Sequence, residues 1–239
     1  SVRTLREQGL EQLWRDVVFR VGLAFHHDGW RHRADIPLRR TLRAQRAENL
    51  QGPCISVVVP VYNTPMRFFR QMVQSVQRQT YRNWQLVLMD ASDAEHPQPG
   101  QLARRLAQKD SRIVYRTIEN AGIAANTTAG FAAATGEAVA LLDHDDLLYP
   151  NALYECAKAL NGGADFVYSD EIVLSADLKK LGGYHFKPDF APDYLRGCNY
   201  ITHLAVFTRS LLDAVGAAEY SEFDGAQDHE LFLRLTERA

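Results

Sequence analysis

The chain has 239 residues, of which 46% are hydrophobic and 23% charged, and its formal net charge is −2. This composition is typical of one sizeable globular domain, or of a domain with an extension. A net charge so close to zero excludes the overall basic field that would indicate binding to nucleic acid.

Residues 1–52 form the first predicted region, a helical and basic extension. Apolar residues recur at spacings of three and four between Leu10 and Phe25, as on one face of a helix. Residues 1–50 hold ten Lys or Arg against six Asp or Glu. Such a segment can make peripheral contact with an anionic membrane surface. The more common alternative is that it packs on its own domain or links to a neighbouring one.

Residues 53–239 show short apolar runs that alternate with helical periods. The runs are continuous, which is typical of strands buried on both faces of a sheet. We predict strands at 55–59, 86–89, 113–115, 139–142, 166–168 and 204–207. The first predicted helix follows Thr64 as its N-cap, with Pro65 in its first position. Further helices are predicted near 101–109, 124–134, 151–160, 209–215 and 228–238, so the fold class is α/β with a mostly parallel sheet flanked by helices.

Polar residues follow five of these strands where each strand ends. They lie in the segments 60–63, 90–93, 119–122, 143–146 and 169–171. Ligands of open α/β sheets bind beyond the carboxyl ends of the strands, so we expect these segments to meet in one crevice.

The stretch "ALLDHDDLLYP" places three carboxylates within four residues, where mutual repulsion needs an offsetting cation. If the chain stays extended there, Asp143 and Asp145 point to the same side. A hard divalent ion, Mg²⁺ or Mn²⁺, binds one or two such carboxylates together with phosphate oxygens. The sequence therefore predicts a metal site. The alternative is that Asp145 or Asp146 caps the helix beginning near Asn151, or lies in solvent.

Tyr62 and Asp90 follow the first two strands and have two interpretations each. Tyr62 could stack on a nucleobase, as aromatic side chains do in nucleic-acid sites, or lie in the core or at its rim. Asp90 could accept a hydrogen bond from the imide of a pyrimidine, or bond to its own backbone in a turn.

Asp228 opens the last predicted helix and shares one face with Leu231, Phe232 and Leu235. An inward-facing acid there has a raised pKa, which suits a general base. The alternative is favourable placement of an acid in the first turn of a helix.

The motifs "SVVVPVYN", "QLVLMDAS" and "ENAGIAANTTAGFAAATGEAVALLDHDDLLYPNAL" together resemble glycosyltransferase family 2, the inverting enzymes of the GT-A fold. The resemblance covers about residues 54–239. The later stretches "FVYSDEIVL", "FKPDFAPDYLRGCNYITHLAVFTRSLL" and "GAQDHELFLRL" are similar to polysaccharide-building members.

The resemblance implies a role for each matched residue. Asp228 would be the catalytic base, and Asp145, with Asp143, would bind the divalent metal. The residues implied in nucleotide-sugar binding are Pro60, Tyr62, Asp90, Asn120, Gly122, Asn126, Asp143 and His144. Candidates for the acceptor or sugar pocket are Lys187, Asp189, His203 and Gln227.

The chain also departs from the family pattern. Thr127 and Thr128 stand where many relatives carry Arg-Asn, so backbone amides are expected to contact the diphosphate instead. The chain stops about one helix after Asp228, where relatives continue with a strand and a metal-binding histidine. Residues 53–239 are therefore expected to be a glycosyltransferase domain truncated at its C-terminus, within a longer multidomain chain.

The sequence thus predicts metal-dependent, inverting transfer from a nucleoside-diphosphate sugar, UDP-linked, to a hydroxyl of a glycan or lipid-linked acceptor. A nucleotidyltransferase of similar fold is the first alternative, but "PVYNTP" stands where a glycine-rich phosphate loop would follow the first strand. A non-catalytic module of a larger assembly is the second.

Cys54, Cys156 and Cys198 have no C-x-x-C spacing, which favours a reducing compartment. No apolar run reaches the ~18 residues of a membrane-spanning helix, and the N-terminus lacks the apolar core of a signal peptide. We expect a cytoplasmic protein, peripheral at the inner face of the membrane.

Overall fold

A computed structural model describes residues 37, 39–216 and 223–239. The apolar stripe predicted between Leu10 and Phe25 lies outside these residues, and the first described element is helix α1 (Arg39–Glu48). The described residues divide into two compact units: the smaller includes Glu171–Phe186, and the larger is formed by the described parts of Leu42–Asp170 and Lys187–Ala239.

Helices and strands alternate as predicted up to the strand at Phe166–Tyr168, whereas two further strands and the short helix Pro192–Gly197 that follow were not predicted. The strands are β1 (Ile55–Val61), β2 (Trp84–Asp90), β3 (Ile113–Thr117), β4 (Ala138–Leu141), β5 (Phe166–Tyr168), β6 (Glu171–Leu174), β7 (Leu181–His185) and β8 (Ala205–Thr208). The helices after α1 are α2 (Met66–Gln77), α3 (Gln98–Ala107), α4 (Ile123–Ala133), α5 (Ala152–Asn161), α6 (Pro192–Gly197), α7 (Arg209–Val215) and α8 (Gln227–Thr236).

Six strands of the larger unit form one sheet in the order β3-β2-β1-β4-β8-β5. Strand β1 pairs in parallel with β2 and β4, and β2 pairs in parallel with β3. Strand β8 is antiparallel to both β4 and β5, so β5 runs in the same direction as β4. The predicted mostly parallel sheet is confirmed. Because the strand order reverses between β1 and β4, their carboxyl ends flank the topological switch point.

The core explains why the apolar runs are continuous. Val57 and Val59 belong to one buried cluster, with Phe69 and Met72 of α2, while Val58 belongs to a second cluster on the other face. A strand that packs helices on both faces has no polar side to present. In the second cluster Phe232 of α8 packs edge-on against Phe166, with ring centroids 5.7 Å apart.

The start of α2 differs from the prediction. Helix α2 begins after Pro65, which is its N-cap residue and makes no side-chain cap. The Thr64 hydroxyl is buried and has no hydrogen-bond partner among the described residues. Thr64 therefore does not cap the helix.

The smaller unit contains an antiparallel hairpin that was not predicted from the sequence. Strands β6 and β7 pair so that Glu171 lies opposite His185, whose Nδ1 is 2.6 Å from Glu171 Oε1. Across the described part of the chain, none of the helices is long and apolar enough to cross a bilayer.

Candidate active site

A cleft of the larger unit lies at the switch point of the sheet. Pro60 and Asp143 line it from the ends of β1 and β4, and Ile123 and Thr127 line it from α4. Thr202, His203, Gln227 and Asp228 complete the polar part of the lining. Five predicted site residues are thus brought together: Pro60, Asp143, His203, Gln227 and Asp228.

The acidic stretch after β4 forms a turn, because the Asp146 amide donates to the Asp143 carbonyl oxygen at 3.2 Å. The extended geometry expected for 143–146 is therefore wrong. The turn brings Asp146 rather than Asp145 close to Asp143. Asp143, Asp146 and His203 each offer one ligand atom, and these atoms lie within 4.8 Å of one another.

Asp145 and His144 lie outside this group. The Asp145 side chain is 56% exposed, and its Oδ1 is 4.0 Å from His144 Nδ1. That Nδ1 is buried and makes no hydrogen bond within the described residues. Neither Asp145 nor Asp146 caps helix α5, whose N-cap residue is Asn151.

His203 reaches the cleft because of strand direction. The carboxyl ends of the parallel strands meet at one edge, and the antiparallel strand β8 begins at that edge with Ala205. His203 therefore enters beside the end of β4, and its Nε2 lies 3.5 Å from Asp143 Oδ2. The Lys187 ammonium group donates to the carbonyl oxygens of Ile201 at 2.7 Å and His203 at 3.0 Å. Lys187 thus supports the segment that carries His203.

Asp228 begins the polar end of an otherwise buried helix face. Leu231, Phe232 and Leu235 on that face are buried, which confirms the predicted orientation of α8. Burial raises the pKa of Asp228 above its ordinary value of 3.8, and the negative charge of Asp143 raises it further. His203 acts in the opposite direction. A carboxylate in this state is a better proton acceptor than one in water.

The N-terminus of α4 is shaped by a small polar network. The Asn120 side-chain oxygen accepts from the Gly122 amide at 3.3 Å and from Asn126 Nδ2 at 3.1 Å. Asn126 is buried, and its own oxygen accepts from the Ala121 amide at 3.4 Å. Asn120, Gly122 and Asn126 therefore hold the turn before the helix in place.

Asp224 is a site residue that sequence reasoning missed. Its Oδ1 accepts from the Ala124 amide at 3.1 Å, across 100 residues of chain. An amide expected to contact a diphosphate thus already has a carboxylate partner at the positive end of α4. Gly122 permits this approach, since a Cβ there would lie 2.3 Å from Asp224 Oδ2. Nothing local to the sequence around Asp224 signals a partner so distant.

Tyr62, Asp90 and Asp189 also lie outside the lining of the cleft. Tyr62 follows Pro60 closely in the chain and is 48% exposed, so its ring is open to a ligand. Asp90 is buried and accepts from the Ser92 amide at 3.1 Å and the Tyr115 hydroxyl at 2.9 Å. The bond from the Ser92 amide is the turn hydrogen bond that the alternative interpretation of Asp90 predicted. Asp189 is exposed.

The family model described as Glycosyl transferase family 2 matches residues 56–215, more than half of the chain. The chain is 38% identical over 215 residues to the uncharacterized protein y4gI of Sinorhizobium fredii, covering 88% of this chain and 23% of that protein. It is also 38% identical over 206 residues to the O-antigen biosynthesis protein RfbC of Myxococcus xanthus, covering 84% and 16%. The chain thus spans less than a quarter of the length of either relative.

Solved structures show the same fold at low identity. The crystal structure of S. aureus TarS 1-349 matches with a TM-score of 0.56 and 16% identity, covering 76% of this chain and 55% of that one. The mannosyltransferase PcManGT from Pyrobaculum calidifontis, solved with GDP-Man and Mn²⁺, matches with a TM-score of 0.52 and 20% identity, covering 91% and 63%. Both likenesses support a GT-A fold, which agrees with the strand order described above.

Proposed function

Because the chain belongs to glycosyl transferase family 2, we propose that it transfers a sugar from a nucleoside-diphosphate sugar to a hydroxyl group of a saccharide acceptor. One observation carries the proposal: the Asp228 carboxyl, with its raised pKa, shares a cleft with Asp143 and His203 at the switch point of the sheet. General-base catalysis needs such a carboxylate beside a place where a leaving group can be bound.

In this mechanism Asp228 removes the proton of the acceptor hydroxyl. The oxygen attacks the anomeric carbon while the bond from that carbon to the diphosphate oxygen breaks on the opposite face. One displacement inverts the anomeric configuration, and no covalent sugar–enzyme intermediate forms. The proton stays on Asp228 until solvent takes it up.

Asp143, Asp146 and His203 are proposed to hold a divalent metal ion. Two carboxylates and one imidazole suit Mn²⁺, and the carboxylates also suit Mg²⁺. When bound, the metal would neutralise the charge of the departing diphosphate. The PcManGT structure, which contains Mn²⁺, supports a metal of this kind. Asp145 remains the rival ligand implied by the family resemblance.

The donor is proposed to be a UDP-sugar. Tyr62 presents an exposed ring on which a base can stack, and Pro60 lies nearby in the chain. TarS 1-349 has been solved with UDP, with a TM-score of 0.51 and 17% identity to this chain. Recognition of the pyrimidine by Asp90 would require its carboxylate to exchange or share the hydrogen bond from Tyr115.

The acceptor is proposed to be a growing polysaccharide or a lipid-linked glycan at the inner face of the membrane. The name of RfbC, an O-antigen biosynthesis protein, supports this class of acceptor. The much greater length of both relatives supports a catalytic domain that works within a longer chain.

The first experiment measures binding of UDP-, GDP- and dTDP-sugars by calorimetry, with and without Mn²⁺, and then product release. Release of nucleoside diphosphate supports the proposal, pyrophosphate from a triphosphate indicates a nucleotidyltransferase, and neither product indicates a non-catalytic module. Asp228→Asn is expected to abolish transfer and keep nucleotide binding. Asp213→Asn is the matched control, because Asp213 is exposed and lies outside the lining of the cleft. Turnover by Asp228→Asn equal to that of the control would remove Asp228 as the base.

A second experiment separates the two metal-ligand assignments. Asp146→Ala is expected to erase the Mn²⁺ dependence of nucleotide affinity, whereas Asp145→Ala should leave most of it. The reverse pattern would restore Asp145 as the main ligand and reject the group formed by the turn.

A further inference from the structure

Three tyrosines of the larger unit form a stack that ends at the surface. Tyr194 of α6 lies parallel to Tyr200, with ring centroids 5.1 Å apart and 8° between the planes. Tyr168 packs edge-on against Tyr200 at 5.9 Å. Tyr194 is the outer ring and remains 53% exposed. Tyr200 covers one face of this ring, so the exposed part of Tyr194 is available on the side away from Tyr200.

The two inner rings are held by hydrogen bonds from their hydroxyl groups. The Tyr200 hydroxyl oxygen accepts from the Ala191 amide at 2.9 Å. The Tyr168 hydroxyl donates to the Pro188 carbonyl oxygen at 2.6 Å. The exposed ring of Tyr194 therefore rests on a support that is fixed before any ligand arrives. A preorganised aromatic ring binds at a low cost in conformational entropy.

The helix that carries Tyr194 contacts the helix that carries the proposed base. Helix α6 contacts α8 through a hydrogen bond from His229 Nε2 to the Leu195 carbonyl oxygen. Tyr194 precedes Leu195, and Asp228 precedes His229. Two backbone steps of about 3.8 Å each, the His229 side chain and this hydrogen bond therefore connect the two residues.

The surroundings of Tyr194 suit a sugar better than a wholly apolar ligand. An aromatic face is electron-rich and attracts the C–H groups that line one face of a pyranose. Asp193 and Arg196 flank Tyr194 in the chain, and their 2.9 Å ion pair joins side chains that are 93% and 66% exposed. These groups offer acceptors and donors to the hydroxyl groups at a sugar's edge.

We infer that Tyr194 forms an acceptor subsite on which one pyranose ring of a saccharide stacks while the hydroxyl of another sugar of the same saccharide lies at Asp228. The inference rests on the proposed function and deepens it, because it requires an acceptor of at least two sugar units. Tyr194 is thus a substrate-binding residue that selects for carbohydrate.

The test compares the full chain with three variants by saturation-transfer NMR, using disaccharides of gluco, galacto and manno configuration as probes. Tyr194→Phe keeps the aromatic face, Tyr194→Leu keeps apolar area without that face, and Tyr194→Ala removes both. Wild type and Tyr194→Phe should transfer saturation to the C–H protons of one sugar ring, and the other two should lose it. The KM for a disaccharide acceptor should rise about tenfold in Tyr194→Ala and Tyr194→Leu, with kcat changed less.

Three results would overturn the inference. The first is absence of saturation transfer from wild type to every disaccharide, and the second is equal transfer in Tyr194→Ala. The third is that wild type and Tyr194→Leu bind phosphatidylglycerol vesicles whereas Tyr194→Ala does not, which would indicate a membrane contact. UDP affinity is measured in all variants. If wild type binds disaccharides but no sugar nucleotide, the proposed function is rejected and the saccharide site at Tyr194 is not.

Discussion

Gly122→Ala is the substitution whose effect can be worked out most closely from the structure. Gly122 has φ +93° and ψ 161°, a conformation that is essentially restricted to glycine. An added Cβ would also lie 2.3 Å from Asp224 Oδ2, so the carboxylate must move away from the Ala124 amide. The substitution therefore combines backbone strain with the loss of a charge-assisted hydrogen bond.

The two contributions can be separated with a matched glycine. Gly163 has φ +95°, and a Cβ added there would meet nothing within 4 Å. Backbone strain in either variant costs about 1–3 kcal/mol. The displaced hydrogen bond of Gly122→Ala should cost a further ~1.5 kcal/mol, the low end for a charged acceptor because Asp224 is exposed.

Urea unfolding of the full chain measures both free energies. Gly122→Ala should cost ~1.5 kcal/mol more in the wild-type background than on an Asp224→Ala background, whereas the cost of Gly163→Ala should be the same on both. An equal cost of Gly122→Ala on the two backgrounds would refute the reasoning. Donor turnover is a second readout, because Asp224 lies in the segment that leads to Asp228.

Three other predictions follow from the same contacts. Without divalent metal, Asp228→Asn should be more stable than wild type at neutral pH, because the raised pKa means that ionising Asp228 costs folding free energy. That gain should fade as pH falls through the raised pKa towards 3.8, where wild type is itself protonated; a gain that persists in acid would contradict this. Lys187→Met should lower the affinity for Mn²⁺, measured by calorimetry, because the carbonyl oxygen of His203 loses its hydrogen-bond donor. An unchanged affinity would show that Lys187 does not position His203. Phe232→Ala should lower the free energy of unfolding by about 3–5 kcal/mol, since the ring is buried against Phe166. A loss below about 1 kcal/mol would mean that α8 is not anchored there.

The strands and helices of the sheet layer were predictable because their signals are local. Val57, Val58 and Val59 are consecutive and apolar because the sheet buries both faces of β1. Leu231, Phe232 and Leu235 repeat with the helical period because one face of α8 packs on the core. Each pattern is complete within a few residues, so it can be read without the rest of the molecule.

The sequence by itself therefore determined the α/β class, the buried strands, and a family resemblance that the family model confirms. Only the tertiary structure decided which side chains meet in the cleft. The chain turns at Asp143, where one backbone hydrogen bond closes the turn, so that Asp146 rather than Asp145 lies beside Asp143. The antiparallel strand β8 begins at the same edge of the sheet and places His203 there. Asp224 meets the Ala124 amide from 100 residues away. Such contacts depend on strand order and on single turns, which periodicity along the chain does not encode.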